Sequence, residues 1–184
     1  MGDLVFYEGY KKSNYNNKYL LTVIDCFSRK AYTRAVKSKS SVDVAEQLDS
    51  ILNSMRRPPR KCCSDKGTEF SVTSDAIYNT LVVKFGMIVY TLKGSSFKGS
   101  IIERFNRTIK NRIARYFTEN NTTNWVDAIQ GITSAYNKTL HRAIKMSPNE
   151  TSVLQVKTLK CIMLNYLSEL TISQFFFLKI SKKK

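Results

Sequence analysis

Three acidic side chains, Asp3, Asp65 and Glu103, stand in sequence contexts that suit metal-dependent phosphodiester chemistry. The clearest context surrounds Glu103, which is the only acid in a strongly basic segment. The six basic residues of this segment are Lys98, Arg104, Arg107, Lys110, Arg112 and Arg115. A lone carboxylate among cations predicts a metal ligand held where a polyanion lies.

Each of the three acids also has a simpler explanation. Asp3 could be an exposed residue near the start of the chain, and Asp65 could be a turn residue in Asp-Lys-Gly. Glu103 could provide favourable negative charge at the N-terminus of a helix. On residue types alone, these simpler explanations prevail.

The composition favours a nucleic-acid partner. The chain has 184 residues, enough for one domain with a hydrophobic core, and a formal net charge of +16. Such an excess of positive charge indicates nucleic acid first and an anionic membrane surface second. A generically basic protein is the remaining alternative.

Cysteine, histidine and apolar patterns argue against several other classes. None of the four cysteines (Cys26, Cys62, Cys63 and Cys161) forms a Cys-x-x-Cys pair, and the single His141 lies far from most of them. A zinc site and a disulfide framework are therefore not expected. No signal peptide is recognisable, which favours a reducing environment, and no apolar run reaches membrane-spanning length.

Hydrophobic periodicity predicts a mixed α/β fold. Strands are predicted at 4–7, 19–24, 31–36, 61–64 and 87–91, and helices at 40–55, 73–85, 100–117 and from Thr123 onward. Residues 93–100, which include Lys98, are predicted to form a flexible loop. This order of elements favours a mixed sheet with helices on both faces. Beyond Pro148 the pattern weakens.

Four segments of the sequence resemble the catalytic core of retroviral-type integrases. The first runs from Tyr19 to Arg29, and the second is Ser64-Asp65-Lys66-Gly67-Thr68-Glu69-Phe70. The third is Ile102-Glu103-Arg104-Phe105-Asn106-Arg107, and the fourth runs from Tyr136-Asn137 through His141-Arg142 to Ser147-Pro148. The resemblance covers residues 2–150. The Asp-Lys-Gly-Thr-Glu-Phe form of the second segment is most similar to integrases of large eukaryotic DNA transposons and related retroelements.

This resemblance implies a ribonuclease H-like fold with a mixed five-stranded sheet flanked by helices. It also implies an Asp-Asp-Glu site that holds two Mg²⁺ or Mn²⁺ ions. Asp65 and Glu103 match the second and third positions of that site. Asp3 is the preferred match for the first position, with Asp25 as the alternative and otherwise a supporting residue. The catalytic core would occupy residues 1–150, and residues 151–184 would form a tail without a recognisable domain.

The resemblance further implies DNA integration through phosphodiester cleavage and strand transfer. Lys98, Arg104, Arg107 and Lys110 are the candidate DNA-binding residues. Arg107 and Lys110 lie four and seven residues after Glu103 and so share its helical face. Asn106 is a candidate supporting residue through a hydrogen bond within the site. The implied partners are element ends and target DNA, with a homo-oligomer as the active form, no membrane, and a nuclear location.

Two other functions stay open at this stage. A catalytically impaired, basic DNA-binding remnant of a mobile element would explain the unfamiliar tail, and a ribonuclease H-type hydrolase would use the same chemistry on another substrate. The sequence begins two residues before Asp3, as in a truncated copy. We therefore expect few hydrogen bonds to anchor Asp3 from its N-terminal side, and poor integration.

Overall fold

The computed structural model describes residues 1–64, 68–91 and 96–151 of the chain. These ranges contain five strands. They are β1 (Gly2–Phe6), β2 (Tyr19–Ile24), β3 (Ala31–Val36), β4 (Lys61–Ser64) and β5 (Ile88–Thr91). The predicted bounds of β2, β3 and β4 are confirmed, because buried or alternating apolar runs define these strands clearly.

The strands pair in two groups. β1, β2 and β3 form an antiparallel sheet in that order, in which Asp3 lies opposite Thr22. β4 and β5 pair in parallel, with Cys62 opposite Val89. β1 also contacts β4, so the two groups meet at the strand that carries Asp3. The arrangement is the predicted mixture of parallel and antiparallel strands.

Four helices accompany the strands in the described ranges. They are α1 (Ser41–Ser54), α2 (Asp75–Tyr78), α3 (Ser96–Asn120) and α4 (Ile129–Lys138). The α2 helix continues as a π-helix over Asn79–Lys84, and short 3-10 helices span Glu8–Ser13, Thr68–Phe70 and Pro148–Glu150. Ser40 caps α1, and its side chain accepts a hydrogen bond from the Asp43 amide at 3.1 Å.

Two predicted helix boundaries were wrong. The α3 helix begins at Ser96, so Lys98 lies in its first turn and not in a loop. Gly99 suggested a break, but one glycine costs a long helix only about 1 kcal/mol. The α4 helix begins at Ile129 and not near Thr123. The backbone before it turns instead to meet the side chain of Asn14.

The hydrophobic core lies on both sides of the antiparallel sheet. Successive residues of β2 point to opposite faces, so Leu20 and Leu21 are both fully buried, but in different clusters. The cluster around Leu21 includes residues of α1 and α2, whereas the cluster around Leu20 includes α3 and Trp125. Burial on both faces fixes the register of β2 and therefore the position of Asp3 beside it.

Side chains of α4 cover the outer edge of β3. The Asn137 amide donates to the Ala31 carbonyl and accepts from the Ala31 N–H, both at 2.8 Å. The hydroxyls of Thr33 and Thr133 lie 2.7 Å apart, and Gln130 donates to the Thr33 carbonyl at 3.0 Å. These bonds satisfy backbone groups that an uncovered edge strand would expose.

The chain divides into two compact units, Met1–Asn137 and Lys138–Lys184. In the second unit, the described residues include a β-bridge between His141 and Met146 and a capping box between Ser147 and Glu150. Residues 152–184 lie outside the described ranges, so the predicted boundary after residue 150 stays a prediction. Within the described ranges, no helix is long and apolar enough to cross a membrane.

Candidate active site

The backbone of β1 and a side chain of α3 hold the carboxylate of Asp3. Its Oδ1 accepts a hydrogen bond from the Leu4 amide at 2.8 Å, and its Oδ2 accepts one from Asn106 Nδ2 at 2.6 Å. The Thr22 hydroxyl donates to the Asp3 carbonyl at 3.1 Å. A half-buried carboxylate on β1 is thus oriented toward α3.

The N-terminal side of Asp3 is anchored, contrary to the expectation from the sequence. The Met1 amine donates to the Ile24 carbonyl, and the Ile24 amide donates to the Met1 carbonyl, both at 2.8 Å. The β1–β2 pairing therefore extends to the first residue. Our expectation assumed that a strand this near the chain start would fray.

Asp65 lies outside the described residues, but the segments on either side of it contact β1. The β4 strand, which ends at Ser64, contacts β1 directly. The 3-10 helix Thr68–Phe70 follows on the other side, and the Phe70 ring lies 3.3 Å from where a Cβ on Gly2 would stand. A side chain at Gly2 would thus displace this ring, so the residue beside Asp3 permits a close approach.

The α3 helix brings Glu103 to the same region. Asn106, which bonds to Asp3, lies three residues after Glu103 and therefore on the same helical face. The Glu103 side chain is exposed, whereas Asn106 is only 8% exposed. Buried Ile102, Phe105 and Ile109 hold this part of α3 against the sheet.

The amide of Asn106 is only half satisfied. Its Nδ2 donates to Asp3, but its Oδ1 is buried and has no hydrogen-bond partner. An unpaired buried acceptor is costly, and in a native fold it calls for an explanation such as an ion, a water or a catalytic role.

Asp25 has a different role in the structure. Its carboxylate accepts hydrogen bonds from the Phe27 amide at 3.1 Å, the Ser28 amide at 3.2 Å and the Ser28 hydroxyl at 2.5 Å. These bonds close the turn between β2 and β3. The geometry therefore favours Asp3 over Asp25 as the first acidic position, although this choice stays a prediction without Asp65.

The candidate DNA-binding residues lie along α3. The side chains of Arg104, Arg107 and Lys110 are exposed, and Lys98 belongs to the first turn of the helix. Because Arg107 and Lys110 share the face of Glu103, they could bind phosphates beside the acidic residues.

Carboxylate oxygens are the ligands that Mg²⁺ prefers, and the three predicted acids supply that donor type. Among the described residues, no group of three or more His, Cys, Asp or Glu side chains is arranged to hold a metal. Because Asp65 lies outside those residues, the predicted set of three acids remains a prediction.

Comparisons with known proteins identify the fold and the family resemblance. Residues 1–88 match the family model of the integrase core domain. The chain resembles a retroviral-type integrase catalytic core. A chain in the cryo-EM structure of the simian T-cell lymphotropic virus intasome, in complex with the PP2A regulatory subunit B56 gamma, superposes with a TM-score of 0.70. The two chains are 16% identical. The superposition covers 83% of the present chain and 54% of the intasome chain. The ribonuclease H-like α/β fold is therefore confirmed.

Two curated relatives are named for transposons. A transposon-derived protein of Caenorhabditis elegans is 34% identical over 143 residues, which are 76% of this chain and 47% of that protein. The retrovirus-related Pol polyprotein from transposon gypsy of Drosophila melanogaster is 31% identical over 137 residues, which are 73% of this chain and 13% of the polyprotein. The chain thus spans less than half the length of both proteins.

Sequence reasoning gave no role to Arg29, although it lies inside one of the quoted segments. Its backbone has a φ of +60°, and two of its guanidinium nitrogens are buried without partners. Neither property has a signal in the sequence, because both depend on how the β2–β3 turn packs.

Proposed function

We propose that this chain is an integrase catalytic domain that cleaves DNA phosphodiester bonds and transfers DNA strands, with Mg²⁺ or Mn²⁺ held by Asp3, Asp65 and Glu103. The observation that carries this proposal is the 2.6 Å hydrogen bond from Asn106 to Asp3. It brings the β1 carboxylate to α3, one helical turn from Glu103. Both flanks of Asp65 contact the same strand, which supports including Asp65 in the site.

The residues present fit a hydrated divalent cation. Asp3 offers a carboxylate on a rigid strand, and Glu103 offers one that is exposed to an incoming ligand. The buried Oδ1 of Asn106 lacks a donor, and a hydrated cation beside Asp3 would supply one. Mg²⁺ keeps several waters and needs few protein ligands, so three carboxylates suffice.

When bound, two such ions would activate the attacking oxygen and neutralise charge on the leaving oxygen of a phosphodiester. The protein's own contribution is to position the groups. The Leu4 amide and Asn106 fix the two oxygens of Asp3, and this kind of outer support commonly matters 10- to 100-fold for metal affinity or activity. Arg107 and Lys110 would hold the DNA backbone on the Glu103 face.

DNA is the proposed substrate, as element ends and as target. The net charge of +16 supports a polyanionic partner. The matched chain belongs to an intasome, and the gypsy relative is a Pol polyprotein from a transposon. We further propose that the active form is a homo-oligomer and that it acts in the nucleus.

The test is a strand-transfer assay with the full chain, labelled element-end oligonucleotides, a target plasmid and Mg²⁺. Replacing Asp3 or Asp65 with Asn, or Glu103 with Gln, is expected to lower the rate at least about a thousandfold, since each change removes part of the charge stabilisation. DNA binding and folding should persist in all three variants.

Glu119→Gln is the matched control, because it removes an exposed carboxylate from the same helix. Its rate should equal that of the unmodified chain. Activity that survives in Asp3→Asn but disappears in a folded Asp25→Asn variant would move the first acidic position to Asp25. Hydrolysis of RNA–DNA hybrids without strand transfer would instead indicate a ribonuclease H-type hydrolase, and DNA binding without either activity would indicate an impaired remnant.

A further inference from the structure

The connection between α1 and β4 is strongly basic. Between Met55 and Cys62 it carries four cationic residues and no acidic one. These four are Arg56, Arg57, Arg60 and Lys61, and the side chains of all four are exposed. A short exposed segment with this charge attracts a polyanion.

Two exposed apolar side chains of β5 lie beside these cations. Ile88 is 54% exposed and Tyr90 is 46% exposed. Lys61 lies opposite Ile88 in the β4–β5 pair, and the Ile88 amide donates to the Arg60 carbonyl at 2.9 Å. The Nζ atom of Lys61 stands 5.6 Å from the centre of the Tyr90 ring. These four residues form one continuous patch, which we call the β4–β5 surface.

The β4–β5 surface lies on the face of the two strands that is turned away from α1 and α2. Cys62 and Val89 pack against the hydrophobic cluster that contains residues of those helices. Because side chains alternate along a strand, Lys61 and Tyr90 point to the opposite face. The exposed fraction of Tyr90 means that the described residues leave this face open.

The β4 strand connects this surface to the proposed active site. Lys61 begins the strand and Ser64 ends it, directly before Asp65. At about 3.3 Å per residue, Lys61 lies roughly 10 Å from the end of the strand. β4 also contacts β1, which carries Asp3. A DNA strand held at the acidic residues would thus reach the surface within a few nucleotides.

We propose that the β4–β5 surface binds an unpaired DNA strand, with a base packed on Tyr90 and Ile88 and with phosphates held by Arg60 and Lys61. This inference rests on the proposed function, because it adds a binding surface for the same DNA. Aromatic side chains interleaved with cations are the usual means of binding a single strand, since every unpaired base offers a ring to stack on.

The exposed ring is what favours an unpaired strand over other polyanions. A duplex keeps its bases stacked on one another, so it would use the cations of the surface but not Tyr90. An anionic membrane is usually bound by an amphipathic helix with a long apolar face, whereas this surface is a strand with two exposed apolar side chains.

The experiment compares the affinity of the full chain for single-stranded and duplex DNA. A fluorescent strand of about 20 nucleotides and its duplex are titrated at several NaCl concentrations and followed by anisotropy. Tyr90→Leu keeps an apolar side chain on β5 but removes the ring. Affinity for the single strand should fall at least about fivefold, and affinity for the duplex less than about twofold. Tyr90→Phe keeps the ring and should bind both as the unmodified chain does.

Tyr78→Leu is the matched control for the ring, because Tyr78 is 47% exposed on α2. It should leave both affinities unchanged. Lys61→Gln tests the surface without changing the ring. It should lower the magnitude of the slope of log affinity against log salt for the single strand by about 0.7, whereas Lys37→Gln, at another exposed lysine, should keep the slope. Equal losses in the two controls would overturn the proposal.

Other outcomes also decide against the surface. If Tyr90→Leu weakens single-strand and duplex binding equally and melts at a lower temperature, the ring serves folding and the proposal fails. If Tyr90→Leu dissociates an oligomer in sedimentation, the surface joins copies of this chain and the proposal fails. Tighter binding of an RNA strand of the same sequence, or Tyr90-dependent binding to phosphatidylserine vesicles in place of DNA, would likewise overturn it.

The inference and the proposed function can fail separately. If single-strand affinity depends on Tyr90 as expected but the chain transfers no strands, only the proposed function fails. If the chain transfers strands while Tyr90→Leu keeps its single-strand affinity, only the β4–β5 surface is wrong.

Discussion

Two buried asparagines show how differently this fold treats its polar groups. Asn14 is fully buried, and all four of its hydrogen bonds are made. Its Nδ2 donates to the Tyr10 and Thr123 carbonyls, both at 2.8 Å, and its Oδ1 accepts from the Trp125 amide at 2.7 Å and the Val126 amide at 3.0 Å. Asn106 is nearly as buried, yet its Oδ1 has no partner.

The difference separates a structural region from a candidate functional one. Around Asn14 every polar atom of the side chain is used to join the Glu8–Ser13 helix to the segment before α4. Around Asn106 one atom orients Asp3, and the other is left open beside it. We call a buried polar group closed when all its hydrogen bonds are made, and open when one of its atoms lacks a partner. A closed group contributes to stability, whereas an open group lowers stability and is retained where binding or catalysis needs it.

The largest effect on folding is expected at the closed asparagine. Asn14→Ala removes the partner of two backbone amides and two carbonyls, so the free energy of unfolding should fall by about 3 kcal/mol or more. Urea denaturation of the full chain measures this loss. Asn111→Ala, an exposed change on α3, should have almost no effect. A loss below about 1 kcal/mol for Asn14→Ala would mean that water replaces the side chain.

Replacing Asn106, the open asparagine, should lower activity far more than stability. Asn106→Ala should lower strand transfer 10- to 100-fold, because Asp3 loses its orientation, while the free energy of unfolding changes by only about 1 kcal/mol. The Mg²⁺ concentration for half-maximal activity should rise, which a purely structural role would not cause. Unchanged Mg²⁺ dependence together with a large stability loss would place Asn106 in the same class as Asn14.

The sequence predicted the strands better than the polar contacts. The bounds of β2, β3 and β4 followed from local apolar patterns, which depend little on distant residues. The start of α4 did not, because Asn14 binds the amides of Trp125 and Val126 across more than a hundred residues of chain. Residues 11–18 are mostly polar, and no local pattern marks one asparagine among them as buried.

The candidate site also contains residues that the sequence predicted and one that it did not. Asp3 and Glu103 were found through the family resemblance, and their segments do meet through Asn106. Arg29 was quoted in a motif but given no role, because its left-handed backbone and unpaired nitrogens arise only when the turn packs. Long-range packing, which a single sequence does not display, decides which polar groups are closed and which stay open.

A smaller effect on stability is expected where the hydroxyls of Thr33 and Thr133 form a hydrogen bond with each other. Thr133 donates to the Ile129 carbonyl at 2.8 Å, so Thr33 donates to Thr133 across a distance of 2.7 Å. Thr133→Val should cost about 1 to 2 kcal/mol, since it leaves the Thr33 hydroxyl buried and unpaired. The Thr33→Val and Thr133→Val double variant should cost less than the sum of the single changes. Strictly additive losses would show that the two hydroxyls do not depend on each other.

The smallest effect on stability is expected at Glu150, a closed polar group that is exposed to solvent. Glu150 is exposed, and its carboxylate accepts a hydrogen bond from the Ser147 amide at 2.9 Å. This bond, together with one from the Ser147 side chain, lowers the pKa of Glu150 below its ordinary value of 4.5. Because the folded pKa is lowered, the stabilisation is present above the unfolded pKa and is lost as the pH falls through the folded one.

An NMR titration of the Glu150 carboxyl should therefore give a midpoint below 4.5. Ser147→Ala should return the midpoint only part of the way, because the backbone amide is the larger cause and stays in place. Water competes for an exposed carboxylate, so the melting temperature of the full chain should hardly change. A full return of the midpoint in Ser147→Ala would mean that the hydroxyl alone holds the carboxylate. Side-chain hydrogen bonding would then account for the lowered pKa of Glu150, as it accounts for the stabilising role of Asn14. The difference in exposure between Glu150 and Asn14 would then not explain their different effects on stability.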